Sequence, residues 1–256
     1  MNRVRMVAVD LDGTLLRDDK TVSPRTVSAI ARLRARGAAF VIATARPIRS
    51  VRGFLPDFGF DAAVYHNGAV IEENGARLEG FGIREPLAAI RSILAAVPLA
   101  RVAVEADDAL LGNFDTQTIW PGVTCASTED FCEMEGRTAD KIIVEARSRE
   151  ELAALARLLP EGLYAQLSEN RIAMIMNRRA TKLNGLRLLA ARRGVPMEEI
   201  AAFGDDYNDI EMLKACGAGV AMANALPEVK QAADEVCPSN GEDGVACWLE
   251  RHFGFS

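Results

Sequence analysis

The sequence lacks several features that mark special classes of protein. None of its five cysteines belongs to a Cys-x-x-Cys pair, and with only two histidines there is no His and Cys cluster at zinc spacing. No apolar stretch approaches the roughly 18 residues of a membrane span. Arg3, Arg5 and Asp10 also leave too little room between them for a signal-peptide core. We therefore expect a cytoplasmic protein with reduced thiols.

Charge of one sign is not in large excess either. The chain has 30 basic and 36 acidic residues, which gives a net charge of −6. This balance argues against a protein that binds nucleic acid or anionic membranes in general. The length of 256 residues is enough for a sizeable core, in one large domain or two modest ones.

Apolar runs and helical patterns alternate at both ends of the chain. Such alternation predicts βαβ units and hence an α/β fold, with a Rossmann-like parallel sheet and helices on both faces. The predicted strands are Met6–Val9, Phe40–Ala43, Ala62–Tyr65, Ile200–Phe203 and Gly219–Met222, with a hairpin turn at Glu72–Gly75. The predicted helices run from Ser23-Pro24 to Gly37, from Pro47, over Lys182–Arg193, over Ile210–Cys216 and over Leu226–Ala233.

The middle of the chain has a different pattern, with two helices among several strands. This pattern predicts a small α+β domain inserted between the halves of the core. We expect the core to comprise residues 1–81 and 182–256, and the insertion residues 82–181. The predicted helices are Pro86–Val97 and Glu150–Leu159, and the predicted strands are Arg101–Glu105, Lys141–Glu145, Tyr164–Leu167 and Ile172–Met176.

Two acidic segments each follow an apolar run that reads as a buried strand. The segment Asp10–Thr14 follows Met6–Val9, and the segment Gly204–Asp209 follows Ile200–Phe203. Open α/β sheets bind ligands at the carboxyl ends of their strands. If both strands lie in one parallel sheet, four carboxylates converge there, namely those of Asp10, Asp12, Asp205 and Asp209.

So much negative charge at close range would repel itself, and a bound cation would relieve the repulsion. Hard oxygen ligands in a partly hydrated site suit Mg²⁺ better than Zn²⁺. Asp and Gly are also ordinary turn residues, so the first acidic segment alone would fit a polar turn. The second segment favours a magnesium site.

Groups suited to an anion lie between the two acidic segments. Thr44 follows the apolar strand Phe40–Ala43, and Arg46 comes just before Pro47, which fits the first position of a helix. A hydroxyl and backbone N–H groups at such a turn can hold phosphate oxygens. Lys182 begins another helical stretch and offers a point charge. Singly, Thr44 also fits a helix cap and Lys182 a solvated lysine.

Four motifs occur in a fixed order along the chain. They are Asp-x-Asp-Gly-Thr at 10–14, Thr44, Lys182 and Gly-Asp-x-x-Asn-Asp at 204–209. In this order the chain resembles the haloacid dehalogenase superfamily of phosphotransferases. The resemblance covers both ends of the chain well and is thin from about Gly82 to Asn177.

The chain is similar, more narrowly, to the Cof-type sugar-phosphatase-like branch of that superfamily. Asn67-Gly68-Ala69 and the late Asn240–Val245 segment agree with this branch. One departure is Ala45, where many relatives have Gly, although the Thr44 hydroxyl remains available.

The resemblance implies a catalytic role for two carboxylates. Asp10 would be the nucleophile that forms an aspartyl-phosphate, and as a carboxylate it needs no base to activate it. Asp12 would protonate the departing alkoxide and later take a proton from water. This double role requires Asp12 to have a higher proton affinity than Asp10.

The resemblance also implies how metal and phosphate are held. Mg²⁺ would be bound by the Asp10 side chain, the Asp12 backbone carbonyl and the Asp205 side chain. Asp209 would not bind the metal directly but would orient a metal-bound water or Lys182. The remaining phosphate oxygens would be held by Thr44, Lys182 and Asn208.

We therefore expect a Mg²⁺-dependent phosphatase acting on a small phosphorylated metabolite, most plausibly a sugar phosphate, with the insertion as a substrate-selecting cap. A phosphomutase would use the same intermediate but return the phosphoryl group to another hydroxyl. A phosphorylation-controlled signalling domain would also collect acids and a lysine around Mg²⁺. Such domains are usually about half this length and need no Asp-x-Asp acid/base.

Overall fold

The computed structural model describes residues 4–52, 59–168 and 171–255 of the chain. Within these residues there are fourteen β-strands and eight α-helices. The strands are β1 Met6–Val9, β2 Ala39–Ala43, β3 Ala62–Tyr65, β4 Val70–Glu73, β5 Ala76–Leu78, β6 Val102–Ala106, β7 Ala109–Gly112, β8 Ala126–Ser127, β9 Lys141–Glu145, β10 Leu163–Ser168, β11 Ile172–Asn177, β12 Ile200–Gly204, β13 Ala218–Met222 and β14 Glu235–Cys237. The helices are α1 Pro24–Ala35, α2 Ile48–Arg52, α3 Pro86–Ala96, α4 Arg149–Ala156, α5 Lys182–Arg193, α6 Ile210–Ala215, α7 Pro227–Ala232 and α8 Gly244–Phe253.

The chain divides into two compact units. The first unit comprises Met1–Gly80 and Thr181–Ser256, and the second comprises Phe81–Ala180, so the second is inserted into the first.

The first unit is built on an eight-stranded sheet in the order β14-β13-β12-β1-β2-β3-β4-β5. The six strands from β14 to β3 are parallel, and β4 and β5 add an antiparallel hairpin at one end. Helix α1 packs against α8, and α5 packs against α6, in the layers that flank the sheet. The predicted α/β Rossmann-like fold is confirmed.

The central strands are apolar because both of their faces are covered. Every residue of β1, β2 and β12 is buried, as expected of parallel strands between two helical layers. The edge of Trp248 from α8 packs on Phe203 of β12, with ring centroids 5.1 Å apart. A rigid, buried sheet therefore carries the polar residues that follow these strands.

Local sequence signals set the helix ends that matter for the site. Thr181 caps α5 by accepting a hydrogen bond from Asn184 N, which makes Lys182 the first residue of the helix. Gly185 lets α5 lie close to β3, because a Cβ atom there would be 2.5 Å from a methyl group of Val64. Gly194 closes the helix in the left-handed conformation.

The second unit is built on a six-stranded sheet in the order β10-β11-β9-β6-β7-β8, in which all pairs except β7 and β8 are antiparallel. Alternate residues of its strands face two different apolar clusters. One cluster includes Ile90 of α3 and Leu155 of α4 with Val104 of β6, and the other joins Ala103 to Ile143. The two helices therefore cover one face of this sheet.

A charged pair is buried in the second sheet. Glu105 of β6 lies directly opposite Lys141 of β9, and their side chains are 3.5 Å apart. Both residues are buried. The two charges thus offset each other across neighbouring strands.

The predicted elements correspond to observed ones with small shifts, and several short elements were not predicted. Helix α2 begins at Ile48, one residue later than expected from Pro47, and α4 ends at Ala156 rather than near Leu159. Strands β7, β8 and β14 and helix α8 were not predicted. All five cysteines are free thiols. In the described parts of the chain, no helix has the length and apolar character needed to cross a membrane.

Candidate active site

The two predicted acidic segments meet at one edge of the first sheet. Strands β1 and β12 are parallel neighbours, with Val9 opposite Phe203, so that both strands end at the same level. Asp10 directly follows β1 and Asp205 directly follows β12. Carboxylate oxygens of Asp10, Asp205 and Asp209 lie within 4.8 Å of one another. Residues that are far apart in sequence thus form one acidic cluster.

Lys182 is buried among these acids. Its Nζ donates hydrogen bonds of 2.7 Å to Asp10 Oδ1 and to Asp209 Oδ1. Only 1% of its side chain is exposed. Burial disfavours the charged form, but the carboxylates of Asp10 and Asp209 outweigh burial and raise the pKa of Lys182. The lysine is therefore a fixed positive charge inside the cluster.

Asp209 has both of its carboxylate oxygens engaged. Oδ1 accepts from Lys182, and Oδ2 accepts from the backbone N–H groups of Asp205 and Asp206 at 3.1 Å each. Gly204 makes room for this carboxylate, since a Cβ atom there would lie 2.3 Å from Asp209 Cγ. Asp209 is thus arranged to hold Lys182 and the Asp205 backbone.

The lysine does not neutralise the whole cluster. Burial, together with the neighbouring Asp209 and Asp205, raises the pKa of Asp10 to about 8 in spite of Lys182. Burial and Asp209 raise the pKa of Asp205 to about 6, although a hydrogen bond from Thr14 and the charge of Lys182 oppose this. An additional cation at this edge would remove the repulsion.

The donor atoms at this edge fit a hard divalent cation. Asp10 and Asp205 supply carboxylate oxygens, which are the ligands that Mg²⁺ prefers in proteins. The Asp10–Thr14 segment also lies against Asp205. A Cβ atom at Gly13 would be 2.3 Å from Asp205 Oδ2, and Thr14 Oγ1 donates to Asp205 Oδ1 at 2.8 Å. The residues present therefore fit the metal that the sequence predicted.

Asp12 lies apart from the acidic cluster and is held by two basic residues. Arg46 Nη2 donates to Asp12 Oδ1 at 2.6 Å, and Lys20 Nζ donates to the same oxygen at 2.9 Å. The Asp12 side chain is 40% exposed. Partial burial would raise the pKa of Asp12, but the hydrogen bonds from Arg46 and Lys20 lower it to about 2.

The shifts in proton affinity run opposite to those that the expected roles require. Asp12 is expected to hold a proton more tightly than Asp10 during catalysis, whereas in the structure the pKa of Asp10 is raised and that of Asp12 is lowered. The physical reason is that Asp12 pairs with Arg46 and Lys20, whereas Asp10 is buried beside two other carboxylates. Sequence spacing did not reveal that Arg46 binds Asp12.

Thr44 and Asn208 lie in the same unit, each at the end of a strand or in a following turn. Thr44 is buried after β2, and its Oγ1 accepts from Arg46 N at 3.1 Å. Asn208 is exposed and donates to Asn67 Oδ1 at 3.1 Å. Among the described residues, neither side chain bonds to the acidic cluster, so the structure does not join these two residues to Asp10 directly.

Thr14 was missed as a functional candidate by sequence reasoning. Its contact with Asp205 depends on β1 and β12 being neighbours, which the motif alone does not state. Its position two residues after Asp12 could have marked it as a candidate site residue.

A family model for haloacid dehalogenase-like hydrolases matches residues 7–249. The chain belongs to this family. It is similar to the 5-amino-6-(5-phospho-D-ribitylamino)uracil phosphatase YitU of Bacillus subtilis (strain 168), with 30% identity over 97% of each chain. It is 28% identical to the pyridoxal phosphate phosphatase YbhA of Escherichia coli (strain K12), over 97% of this chain and 98% of that protein.

A solved structure shares the fold of the whole chain. It is TM0651 from Thermotoga maritima, with a TM-score of 0.84, 25% identity and 97% of each chain covered. The resemblance found in the motifs is thus confirmed, and the protein is a phosphatase of the Cof-type branch of the haloacid dehalogenase superfamily.

Proposed function

We propose that this phosphatase is Mg²⁺-dependent and hydrolyses a small phosphorylated metabolite of the sugar-phosphate class through an aspartyl-phosphate on Asp10. The observation that carries the proposal is the buried cluster of Asp10, Asp205, Asp209 and Lys182 at the carboxyl edge of the sheet. A nucleophilic carboxylate there lies beside both a fixed cation and an acidic partner for a metal.

The Mg²⁺ ion would be held by the side chains of Asp10 and Asp205 and by the backbone carbonyl of Asp12. When bound, the ion neutralises charge that would otherwise keep an anionic substrate away from the nucleophile. The short distances among the carboxylates and the raised pKa values of Asp10 and Asp205 support this assignment.

Asp10 attacks phosphorus, forming a bond from its carboxylate oxygen to phosphorus while the bond to the leaving alcohol breaks. Lys182 fixes the Asp10 carboxylate through its 2.7 Å hydrogen bond, and Asp209 fixes the lysine in turn. Water then attacks the aspartyl-phosphate and releases inorganic phosphate. This sequence restores the Asp10 carboxylate without any redox partner.

Asp12 donates a proton to the leaving alkoxide and takes a proton from the attacking water. To do so it must be released from Arg46 and Lys20, which hold it in the structure. A phosphate group bound beside Asp10 gives Arg46 another anion to bind, because the Arg46 guanidinium already lies within electrostatic reach of Asp10. Substrate binding and the release of Asp12 are thus coupled.

Thr44, Lys182 and Asn208 hold the remaining phosphate oxygens in this proposal. Thr44 supplies a hydroxyl, Lys182 a charge and Asn208 an exposed amide.

The second unit, Phe81–Ala180, serves as the cap that selects the substrate. A cap excludes water and contacts the part of the substrate that leaves. The two relatives named above are phosphatases of a phosphoribitylamino-uracil and of pyridoxal phosphate. These compounds belong in a test panel beside hexose and pentose phosphates. We also propose a cytoplasmic location, which the free thiols support.

The test is a screen of phosphorylated sugars, nucleotides and vitamin cofactors, with and without Mg²⁺, for release of inorganic phosphate. Asp10→Asn is the control, and it should keep the fold by circular dichroism while losing nearly all phosphate release. Retention of most activity in Asp10→Asn would remove Asp10 as nucleophile.

The same screen separates the alternatives. An isomeric phosphate with little free phosphate would indicate a phosphomutase. A phosphorylated protein that hydrolyses slowly while bound to a partner would indicate a signalling domain.

A further inference from the structure

The late segment Asn240–Val245 has no role in the proposed chemistry, yet it is bonded to the loop that carries the nucleophile. Asn240 is buried, and its side-chain amide donates to Leu16 O at 2.9 Å and to Asp18 Oδ1 at 3.2 Å. Its backbone N–H donates to Asn224 Oδ1 at 3.0 Å. Asn240 thus connects the loop after β1 to a residue after β13.

Asn224 extends this connection to the catalytic segment. It lies in the turn after β13, and its Nδ2 donates to Gly13 O at 2.7 Å. Although Asn224 is exposed, its amide is held at both ends, by Asn240 on the oxygen and by Gly13 on the nitrogen. This geometry fixes the peptide between Gly13 and Thr14, one peptide beyond the Asp12 carbonyl.

Gly13 in turn sets the separation of the two acidic segments. Because Gly13 has no side chain, the loop lies directly against Asp205, where a Cβ atom would be 2.3 Å from Oδ2. Its φ of +77° also favours glycine. Thr14, the next residue, bonds to the same carboxylate. A shift of Gly13 would therefore move the Asp12 carbonyl relative to Asp205.

The turn after β13 also holds the other acidic segment. Leu226 N donates to Asp205 O at 3.1 Å, only two residues after the amide that holds Gly13. One short stretch, Asn224–Leu226, is therefore bonded to both segments that would bind the metal.

We propose that Asn224, held in place by Asn240, is a positioning residue that sets the spacing between the Asp10–Thr14 segment and Asp205, and thereby the affinity for Mg²⁺. This inference rests on the proposed function, because it assumes that the two segments share one ion. Residues that orient metal ligands typically change metal affinity by about 10- to 100-fold when they are replaced.

The test measures Mg²⁺ binding directly, by isothermal titration calorimetry on the full-length protein without substrate. Asn224→Ala should raise the Mg²⁺ dissociation constant by about tenfold. Asn240→Ala keeps its backbone donor to Asn224 and loses only the two side-chain hydrogen bonds to Leu16 O and Asp18 Oδ1. Because these bonds act on Asn224 only indirectly, this variant should weaken Mg²⁺ binding less, by about two- to fivefold. It also serves if Asn224→Ala does not fold.

Asn113→Ala is a matched control in the second unit. The Asn113 side chain also accepts from one backbone N–H, that of Val102 at 2.8 Å, and donates to one backbone carbonyl, that of Ala100 at 2.9 Å. Its loss should lower the melting temperature and leave the Mg²⁺ dissociation constant unchanged.

Kinetics gives a second measurement that a purely structural role would not alter. At low Mg²⁺, Asn224→Ala should have a reduced kcat that rises again at saturating Mg²⁺, with KM for the phosphate ester little changed.

The outcomes separate this inference from the proposed function. A wild-type protein that binds no Mg²⁺ would overturn the proposed function. If the wild-type protein binds Mg²⁺ and Asn224→Ala has the same Mg²⁺ dissociation constant, the positioning role alone is overturned. An equal weakening in Asn113→Ala would also overturn it, because the effect would then follow general destabilisation.

Discussion

The two sheets of this protein bury charged side chains in different ways. In the second unit, Glu105 and Lys141 face each other across adjacent antiparallel strands. In the first unit, the charges follow strands of a parallel sheet, and Lys182 meets a cluster of three carboxylates. An antiparallel ladder can neutralise a charge locally, whereas the edge of a parallel sheet collects charges from distant segments. The excess negative charge in the first unit is what suits it to bind a cation.

Replacing each buried lysine tests this contrast with the largest expected effect. Lys182→Met leaves Asp10 and Asp209 without their shared cation and should lower the free energy of unfolding by about 3–5 kcal/mol. Lys141→Met removes the buried charge that faces Glu105 and should cost about 2 kcal/mol. Urea denaturation measures both.

Mg²⁺ should restore part of the stability that Lys182→Met loses. For Lys141→Met, Mg²⁺ should raise the free energy of unfolding by no more than it does for the wild-type protein. Equal responses of the two variants to Mg²⁺ would contradict the contrast between the units.

Asp12→Ala tests whether the exposed carboxylate acts on the leaving group. We expect kcat to fall by about 10²- to 10³-fold on sugar phosphates, because their alkoxides need a proton. The fall should be much smaller on aryl phosphates, whose leaving groups are already good. Steady-state kinetics on both ester classes decides the point, and equal losses would argue against leaving-group protonation.

Mg²⁺ should protect the first unit and not the second. At a concentration 100 times the dissociation constant, binding would stabilise the folded state by about 2.7 kcal/mol. Hydrogen exchange followed by mass spectrometry should slow in peptides covering Asp10–Thr14 and Asp205–Asp209. Exchange in Val102–Ala106 should not change. Asp205→Asn should lose the protection, and protection in Asp205→Asn equal to wild type would argue against Asp205 as a ligand.

The smallest effect concerns Asp61, a partly buried carboxylate of the first unit. Burial would raise its pKa, but hydrogen bonds from Arg34 and from Phe40 N outweigh burial and lower it. A lowered pKa stabilises the folded state above the ordinary carboxyl pKa of about 4, and this is lost as the pH falls towards the folded value. Asp61→Asn should cost about 1 kcal/mol at pH 7 and less at pH 3.

Glu145→Gln is the counterpart in the second unit, where Glu145 pairs with Arg101 and Arg147. Solvent screens these pairs, so we expect Glu145→Gln to lower the free energy of unfolding by about 0.5 kcal/mol at pH 7. Thermal melts at both pH values provide the comparison. A loss for Asp61→Asn that is as large at pH 3 as at pH 7 would show that its charge is not responsible.

Much of the fold could be predicted because apolar runs and caps are local signals. Strand Met6–Val9 and helix Lys182–Arg193 have the predicted bounds, since a buried strand needs an uninterrupted apolar run and a helix needs a cap such as Thr181. Strands β8 and β14 have two and three residues, which is too few for a periodic pattern. They depend on pairing with neighbours that the sequence does not name.

The site was predictable to the level of residue types at strand ends, and no further. That Asp10 and Asp205 approach each other follows from the rule that parallel strands present their carboxyl ends at one edge. The ion pairs of Asp12 with Lys20 and Arg46 depend on how a turn and a second loop fold back. The contact of Asn224 with Gly13 joins residues that are 211 positions apart. Such tertiary contacts set proton affinities, which is why the sequence did not indicate the lowered pKa of Asp12.

The central claim is that the ends of β1 and β12 share one divalent ion. A crystal structure of the protein with Mn²⁺ in place of Mg²⁺, recorded near the manganese absorption edge, tests it most directly. We expect one anomalous peak in the first unit, from an ion bound by carboxylate oxygens of Asp10 and Asp205 and by the Asp12 carbonyl. Absence of a peak there at saturating Mn²⁺, or a peak that contacts Asp10 without Asp205, would show that the two strand ends do not share an ion.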